Sequence, residues 1–142
     1  MPPVNEEGMA FQITNEWLIN LGDDFERRVE DEKLIFWKAG ITVIVAAFRL
    51  PKDIGKFELL NQVQEKIPED RLETLVSTKG EIVGLGYTQI QPQEANQERL
   101  ALTTFTASDT SCVQIAFYLD DPTDLEWAKS IWESLIYHPA LE

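Results

Sequence analysis

The sequence predicts one α+β domain: an antiparallel β-sheet of about six strands with two helices packed on its faces, an α/β/α sandwich. Three observations carry that expectation. Two β-rich runs, Lys33-Leu34-Ile35-Phe36-Trp37-Lys38 and Ile41-Thr42-Val43-Ile44-Val45-Ala46-Ala47-Phe48-Arg49, flank Ala39-Gly40 and read as a hairpin. Four more strand-like runs follow one another between residues 72 and 119, the pattern of an antiparallel meander. Two stretches, one after Pro51 and one after Pro122, repeat apolar residues at helical spacing. With 142 residues, 44% of them hydrophobic, the chain is long enough to bury a core without disulfides or metals.

Taken in order, residues 1–9 are polar, Pro-containing and aperiodic and read as a mobile arm. The domain is expected over 10–138. A short strand at 10–13 is followed by Trp17 in a loop, by the turn-rich Asn20-Leu21-Gly22-Asp23-Asp24, and by a second short strand at 25–29. In the hairpin, Ala39 suits a type I turn with Gly40 left-handed in a bulge. Its strands do not alternate: Leu34 and Phe36 face one way and Ile35 and Trp37 the other, and Val43 and Val45 stand back to back with Ile44 and Phe48. Both faces are therefore expected to be covered.

Beyond Pro51, Phe57, Leu60, Val63 and Ile67 recur at spacings of three, three and four, an amphipathic helix that Pro68 ends. Strands are expected at 72–77, 82–90, 99–107 and 112–119, joined at Thr78-Lys79-Gly80, at the polar loop 91–98 and at Ser108-Asp109-Thr110-Ser111. After Asp120-Asp121-Pro122, the run Thr123-Asp124-Leu125-Glu126 has the spacing of a capping box. Leu125, Ala128, Ile131, Trp132 and Leu135 form the apolar stripe of the helix it opens, with Trp127 beside the stripe. Residues 139–142 read as a tail, with Leu141-Glu142 resembling the remnant that joins many expressed chains to an affinity tag.

The charge balance excludes several partners. Twelve Lys and Arg against 25 Asp and Glu give −13, which argues against phosphate-mediated nucleic-acid binding and against anionic membranes. Residues 1–32 carry net −7, residues 109–142 carry net −6, and the middle is balanced. If the fold joins the two ends, their acids form one negative face that favours a cationic partner; the plainer reading is a charged surface that keeps a small protein soluble. The single cysteine, Cys112, cannot close an internal disulfide and reads as a small apolar strand residue. No secretory leader or membrane-length apolar run is present in the sequence, so a cytoplasmic protein without membrane insertion is expected.

Catalytic and metal chemistries find little equipment. The only histidine, His138, sits in a short tail with nothing to orient it, so Ser–His or Cys–His catalysis and zinc binding are not expected. Gly84-Leu85-Gly86 lacks the third glycine and the helix of a dinucleotide site and marks a bulge or a large side chain crossing the sheet. Thr78-Lys79-Gly80-Glu81 is no P-loop. The paired acids Asp23-Asp24, Glu30-Asp31-Glu32 and Asp120-Asp121 read as solvated loops and a helix start rather than as acid–base pairs or a calcium loop. The expectation is no enzyme, no cofactor and no metal.

Four tryptophans are many for this length. Trp37 and Trp132 fall in apolar stripes and suit the core. Trp17 and Trp127 do not, and either packing or an exposed contact fits them. The candidate partner-binding residues are Trp17, Trp127, Asp23, Asp24, Asp120 and Asp121, together with the loop 91–98.

The ending Val113-Gln114-Ile115-Ala116-Phe117-Tyr118-Leu119-Asp120, then Asp124-Leu125-Glu126-Trp127-Ala128-Lys129-Ser130-Ile131-Trp132-Glu133-Ser134-Leu135, resembles the PsbP-like and DcrB-type group of small α/β/α domains. There a strand feeds a capped helix that finishes in a Ser-Leu type sequence, and the likeness spans about residues 10–136 as a pattern of elements. No family motif residue transfers. The resemblance implies an antiparallel sheet with helices on both faces, in members that bind rather than catalyse: a GTPase-binding import factor, an extrinsic photosystem subunit, adaptor chaperones for secreted bacterial effectors. This chain departs from the exported members in lacking a leader or a lipid-attachment Cys near its start, which favours the cytoplasmic adaptor as analogue.

The expected function is non-enzymatic protein binding, as an adaptor or chaperone-like domain, with a homodimer through a sheet edge or an uncovered sheet face as a further possibility. Two rivals stand beside it. One is an acidic inhibitor or immunity-type protein that neutralises a basic partner, whose binding weakens with salt. The other is a small-ligand carrier or enzyme built on carboxylates and Tyr87 or Tyr118, which needs a deep pocket with converging polar groups.

Overall fold

The computed structural model of the chain describes residues 10–22, 24–92 and 98–138. The arm 1–9, Asp23, residues 93–97 of the polar loop and the tail 139–142 lie outside the described residues.

The longest strands form one seven-stranded antiparallel sheet. Its first half is β3 (Glu26–Glu30), β4 (Lys33–Lys38) and β5 (Ile41–Arg49). Helix α1 (Lys56–Glu65) carries the chain to the far edge, from which β6 (Glu73–Lys79), β7 (Ile82–Pro92), β8 (Glu98–Ala107) and β9 (Ser111–Leu119) return as the expected meander. The halves meet where β9 pairs with β5, from Ile41 opposite Leu119 to Arg49 opposite Ser111. The strand order is thus β3-β4-β5-β9-β8-β7-β6. The two most continuously apolar runs lie side by side near its middle, where both ladders of each strand are satisfied.

A three-stranded sheet joins the first and last of the described segments. β1 (Ala10–Gln12) and β10 (Ile136–Tyr137) both pair with β2 (Trp17–Asn20). The described residues therefore hold ten strands in two sheets rather than about six in one, and Trp17 opens a strand instead of sitting in a loop. Helix α2 (Leu125–Glu133) lies on the same face of the large sheet as this lid. Between them they bury Phe36, Val43, Val45, Leu102, Val113, Ile115, Phe117 and Leu119 of the sheet against Trp17, Ile19 and Leu21 of the lid, Ala128, Ile131 and Trp132 of α2, and Leu135 two residues beyond its end.

Gly84 and Gly86 make room for the largest of these. A Cβ at Gly84 would stand 2.9 Å from Trp132 Cζ2, and one at Gly86 3.4 Å from Trp132 Cη2. The Gly-Leu-Gly spacing marks a tryptophan crossing the sheet, whose indole N–H donates to Thr106 Oγ1 at 2.7 Å.

Two local expectations are corrected. The capping box does not form. Asp121, in extended backbone, caps a 3-10 turn at Pro122–Asp124, accepting from the Thr123 N–H at 2.9 Å and the Thr123 hydroxyl at 2.8 Å. The Thr123 hydroxyl is thereby spent upstream, and α2 starts from Asp124 with no side-chain cap bond; Pro122 favours this because its fixed φ suits the first position of a helical turn. The second correction concerns the hairpin β4–β5, one of whose faces is only half-buried.

Candidate binding surface

Side chains alternate between sheet faces, and in an antiparallel ladder directly opposed residues share a face. The register places Ile35 opposite Ile44, Ile44 opposite Ala116 and Ala116 opposite Thr103 in one row. Beside it run Trp37, Thr42, Tyr118 and Ala101 in a second row, and Ala46 with Gln114 in a third. Phe48 extends the patch toward Cys112. All of these lie on the face opposite the lid and α2.

The contrast in burial is sharp along a single strand. On the lid side Val43 and Val45 are 0% and 1% exposed and Phe117 0%. On the other side Ile35, Trp37, Ile44, Ala46 and Tyr118 are only half-buried, and Phe48 is 41% exposed. Helix α1 covers the β7 end of this face, where Val63 and Lys66 border Tyr87 and Phe105 around a cavity of ≈ 240 Å³. The non-alternating hairpin thus buries one apolar face and presents the other, instead of having both covered.

The patch has an uncharged centre and a rim with arginines. Thr42, Thr103 and Gln114 are its polar members. At the β3 border the Arg28 guanidinium stands 5.3 Å over the Trp37 ring and pairs with Glu30 at 3.1 Å. At the other border Arg99 lies 5.9 Å over the Tyr118 ring, with its Nε 2.7 Å from Asp120 Oδ1 but not aligned for a hydrogen bond. Aromatic and apolar side chains without charges thus fill the centre, with one arginine at each of two borders. Cys112, at the covered end, is inert: burial pushes its thiol up to about 12.

The sequence candidates separate on inspection. Trp17 is corrected outright: it is 0% exposed, donates its indole N–H to Ser111 Oγ at 2.8 Å and packs on Tyr137, so it has no surface to offer a partner. Trp127 is half-buried, stacked on Phe25 at 5.8 Å and edge-on to Phe117, and it borders a shallow groove of ≈ 510 Å³ between the lid and α2. Asp24, Asp120 and Asp121 gather near the Ala39–Gly40 turn: Asp24 pairs with Lys38, which lies opposite Ile41, and the Asp120 N–H donates to Gly40 O. Two of these three acids have cationic partners, Lys38 at 3.2 Å and Arg99 at 2.7 Å, and Asp121 is a cap. Its carboxyl is held below the usual range by the Thr123 backbone N–H first and the Thr123 hydroxyl second. Asp23 and residues 93–97 of the loop lie outside the described residues.

One polar cluster escaped the sequence reading. Glu16, 7% exposed, accepts from Ser111 Oγ at 2.6 Å and from Thr110 Oγ1 at 3.1 Å, and Ser111 Oγ also accepts from Trp17. These bonds join residues 94 and 95 apart in sequence and pin the lid to the β8–β9 turn. The cavity beside them is ≈ 110 Å³, and the Ser111 hydroxyl is committed to both neighbours, so the cluster reads as a buried clamp.

Among the described residues no group of three or more His, Cys, Asp or Glu is placed to hold a metal ion, and no helix is long and apolar enough to cross a membrane. His138 is exposed, and its backbone N–H donates to Glu16 O. No protein-family model and no curated protein matches this chain.

Proposed function

We propose that this chain is a non-enzymatic protein-binding domain, of adaptor or chaperone-like type, that takes its partner on the open face of β4, β5 and β9. The observation that carries the reading is the set Ile35, Trp37, Ile44, Phe48 and Tyr118, exposed or half-buried on one side of strands whose other side buries Phe36, Val43, Val45, Ile115 and Phe117. Apolar side chains gathered in such a patch mark interaction sites far more often than the same side chains scattered singly. The PsbP-like and DcrB-type resemblance, with its cytoplasmic adaptor members, supports the same reading and belongs to the proposal. Trp127 and its groove form a second, smaller contact candidate.

Charge decides between this reading and the acidic-inhibitor rival. An apolar face binds almost independently of salt, whereas recognition through Asp24, Asp120 and Asp121 weakens steeply as the Debye length falls to about 3 Å near 1 M salt. The test is co-purification from the native host at low and high salt with wild type, Ile44→Asp and the pair Asp24→Asn with Asp120→Asn. The proposal expects one reproducible partner that survives high salt, survives the Asn pair and is lost with Ile44→Asp. A partner released by salt and by the Asn pair, and kept by Ile44→Asp, sinks it.

A further inference from the structure

We infer that two copies of this chain pair through the free edge of β6, antiparallel and in register about Val76, to make one continuous sheet. This goes beyond the proposed partner surface, since β6 and the β3–β4–β5 half lie at opposite ends of the strand order.

The edge is exposed and uncharged over its middle. Among the described residues β6 is paired only with β7. Its hairpin closes through the two-residue turn Gly80–Glu81, with Gly80 at φ +62° and Lys79 opposite Ile82. A two-residue turn makes its closing pair hydrogen-bonded, and the bonded pairs then alternate along the ladder. Glu73, Leu75, Ser77 and Lys79 therefore spend their backbone groups on β7, and Thr74, Val76 and Thr78 point theirs outward. Val76 is 76% exposed.

The strand Glu73-Thr74-Leu75-Val76-Ser77-Thr78-Lys79 complements itself. A two-fold axis through Val76 sets Glu73 of each copy opposite Lys79 of the other, Thr74 opposite Thr78, Leu75 opposite Ser77, and Val76 opposite Val76. Opposite charges meet at both ends, threonines pair inside them, and the outward backbone groups supply about six hydrogen bonds in three bonded pairs. Both charges stand on the α2 side and are held there: Glu73 lies 3.4 Å from Lys129, and Lys79 Nζ donates to the Glu133 carbonyl at 3.0 Å. The opposite edge is built the other way. β3, Glu26-Arg27-Arg28-Val29-Glu30, centred on its middle residue, sets Glu26 against Glu30 and Arg28 against Arg28. Like charges directly opposed repel, which is how exposed edges are kept from pairing.

Sedimentation of the full chain from micromolar to millimolar concentration tests the inference. Wild type is expected to dimerise, and Val76→Lys, which sets two ammonium groups on the axis, to stay monomeric. Glu73→Lys and Lys79→Glu should each weaken the dimer by about tenfold, and the double swap should restore it. Val76→Cys should give a disulfide-linked dimer on mild oxidation, because Cα atoms of a bonded pair lie about 5.5 Å apart. Ile44→Asp should leave the dimer intact, which separates this inference from the proposed partner surface. A wild type that stays monomeric at millimolar concentration, a Val76→Lys dimer as tight as wild type, or a double swap no better than either single change would overturn it.

Discussion

The Trp132 indole occupies the space that a side chain at Gly84 would need, with its Cζ2 2.9 Å from the position of the missing Cβ. The ring is 5% exposed and tied to Thr106, so it has little freedom to retreat. Gly84→Ala is therefore expected to destabilise the fold by about 1–3 kcal/mol, the cost of forcing atoms into a packed core. Trp132→Phe shortens the ring system at this point, so the double variant should lose less than the sum of the singles. Urea midpoints of the four proteins measure the coupling, and simple additivity would show that the contact is not limiting.

A second prediction concerns the β3–β4 turn. Asp31 and Glu32 both have positive φ, 54° and 67°, the conformation of a type I′ turn, in which glycine is preferred at the second position. An L-residue there costs roughly 1–2 kcal/mol, and glycine returns part of that through its larger loss of freedom on folding. Glu32→Gly should raise stability by about 0.5–1 kcal/mol, read from the thermal midpoint. A lower midpoint would mean that the Glu32 side chain contributes more than its backbone strain costs.

That turn also shows where the sequence stops being legible. Hairpin β4–β5, the meander and the α2 stripe are readable because each has a run of six or more residues of strong β-propensity or of one period between clear breakers. β3 was placed only roughly, since Glu26-Arg27-Arg28-Val29-Glu30 carries no alternation and its turn contains neither Gly nor Asn. The lid strands, two to four residues each, are too short for any period to register. The site was harder still. Period two reveals that Ile44 and Val45 face opposite ways, but only the fold decides which of them meets water. Ser111 and Glu16 lie 95 residues apart, a pairing that no local pattern encodes, and the loop-like surroundings of Trp17 leave packing and contact equally open until the lid that buries it is seen.

The third prediction is a pH effect with a definite sign. The Thr123 N–H and hydroxyl favour the charged form of Asp121, so its folded-state pKa lies below the unfolded one. Such a group contributes stability that is fully present above the unfolded pKa and is lost as pH falls through the folded value. Thr123→Val removes the hydroxyl donor and keeps the N–H. The Asp121 carboxyl should then titrate higher, though still below an ordinary aspartate, in a carbon-detected NMR titration between about pH 2 and 6. An unchanged titration would assign the whole effect to the backbone.

The last prediction separates the two faces of the sheet by their energetics. Phe117 on β9 and Phe48 on β5 are the same residue type on neighbouring strands, one 0% and the other 41% exposed. Phe117→Ala deletes a ring from the packed side and leaves a cavity, so it should cost about 3–5 kcal/mol. Phe48→Ala removes a ring that keeps much of its contact with water in the folded state, and a cost of about 1 kcal/mol or less is expected. Chemical denaturation of the two variants measures both. If the open face serves a partner, the ranking reverses when binding is measured in place of stability, because a side chain already half in water gains most from being covered by another molecule. A loss of 3 kcal/mol or more at Phe48 in the isolated chain would instead mean that this face is packed in solution, leaving no apolar surface there for a partner to take.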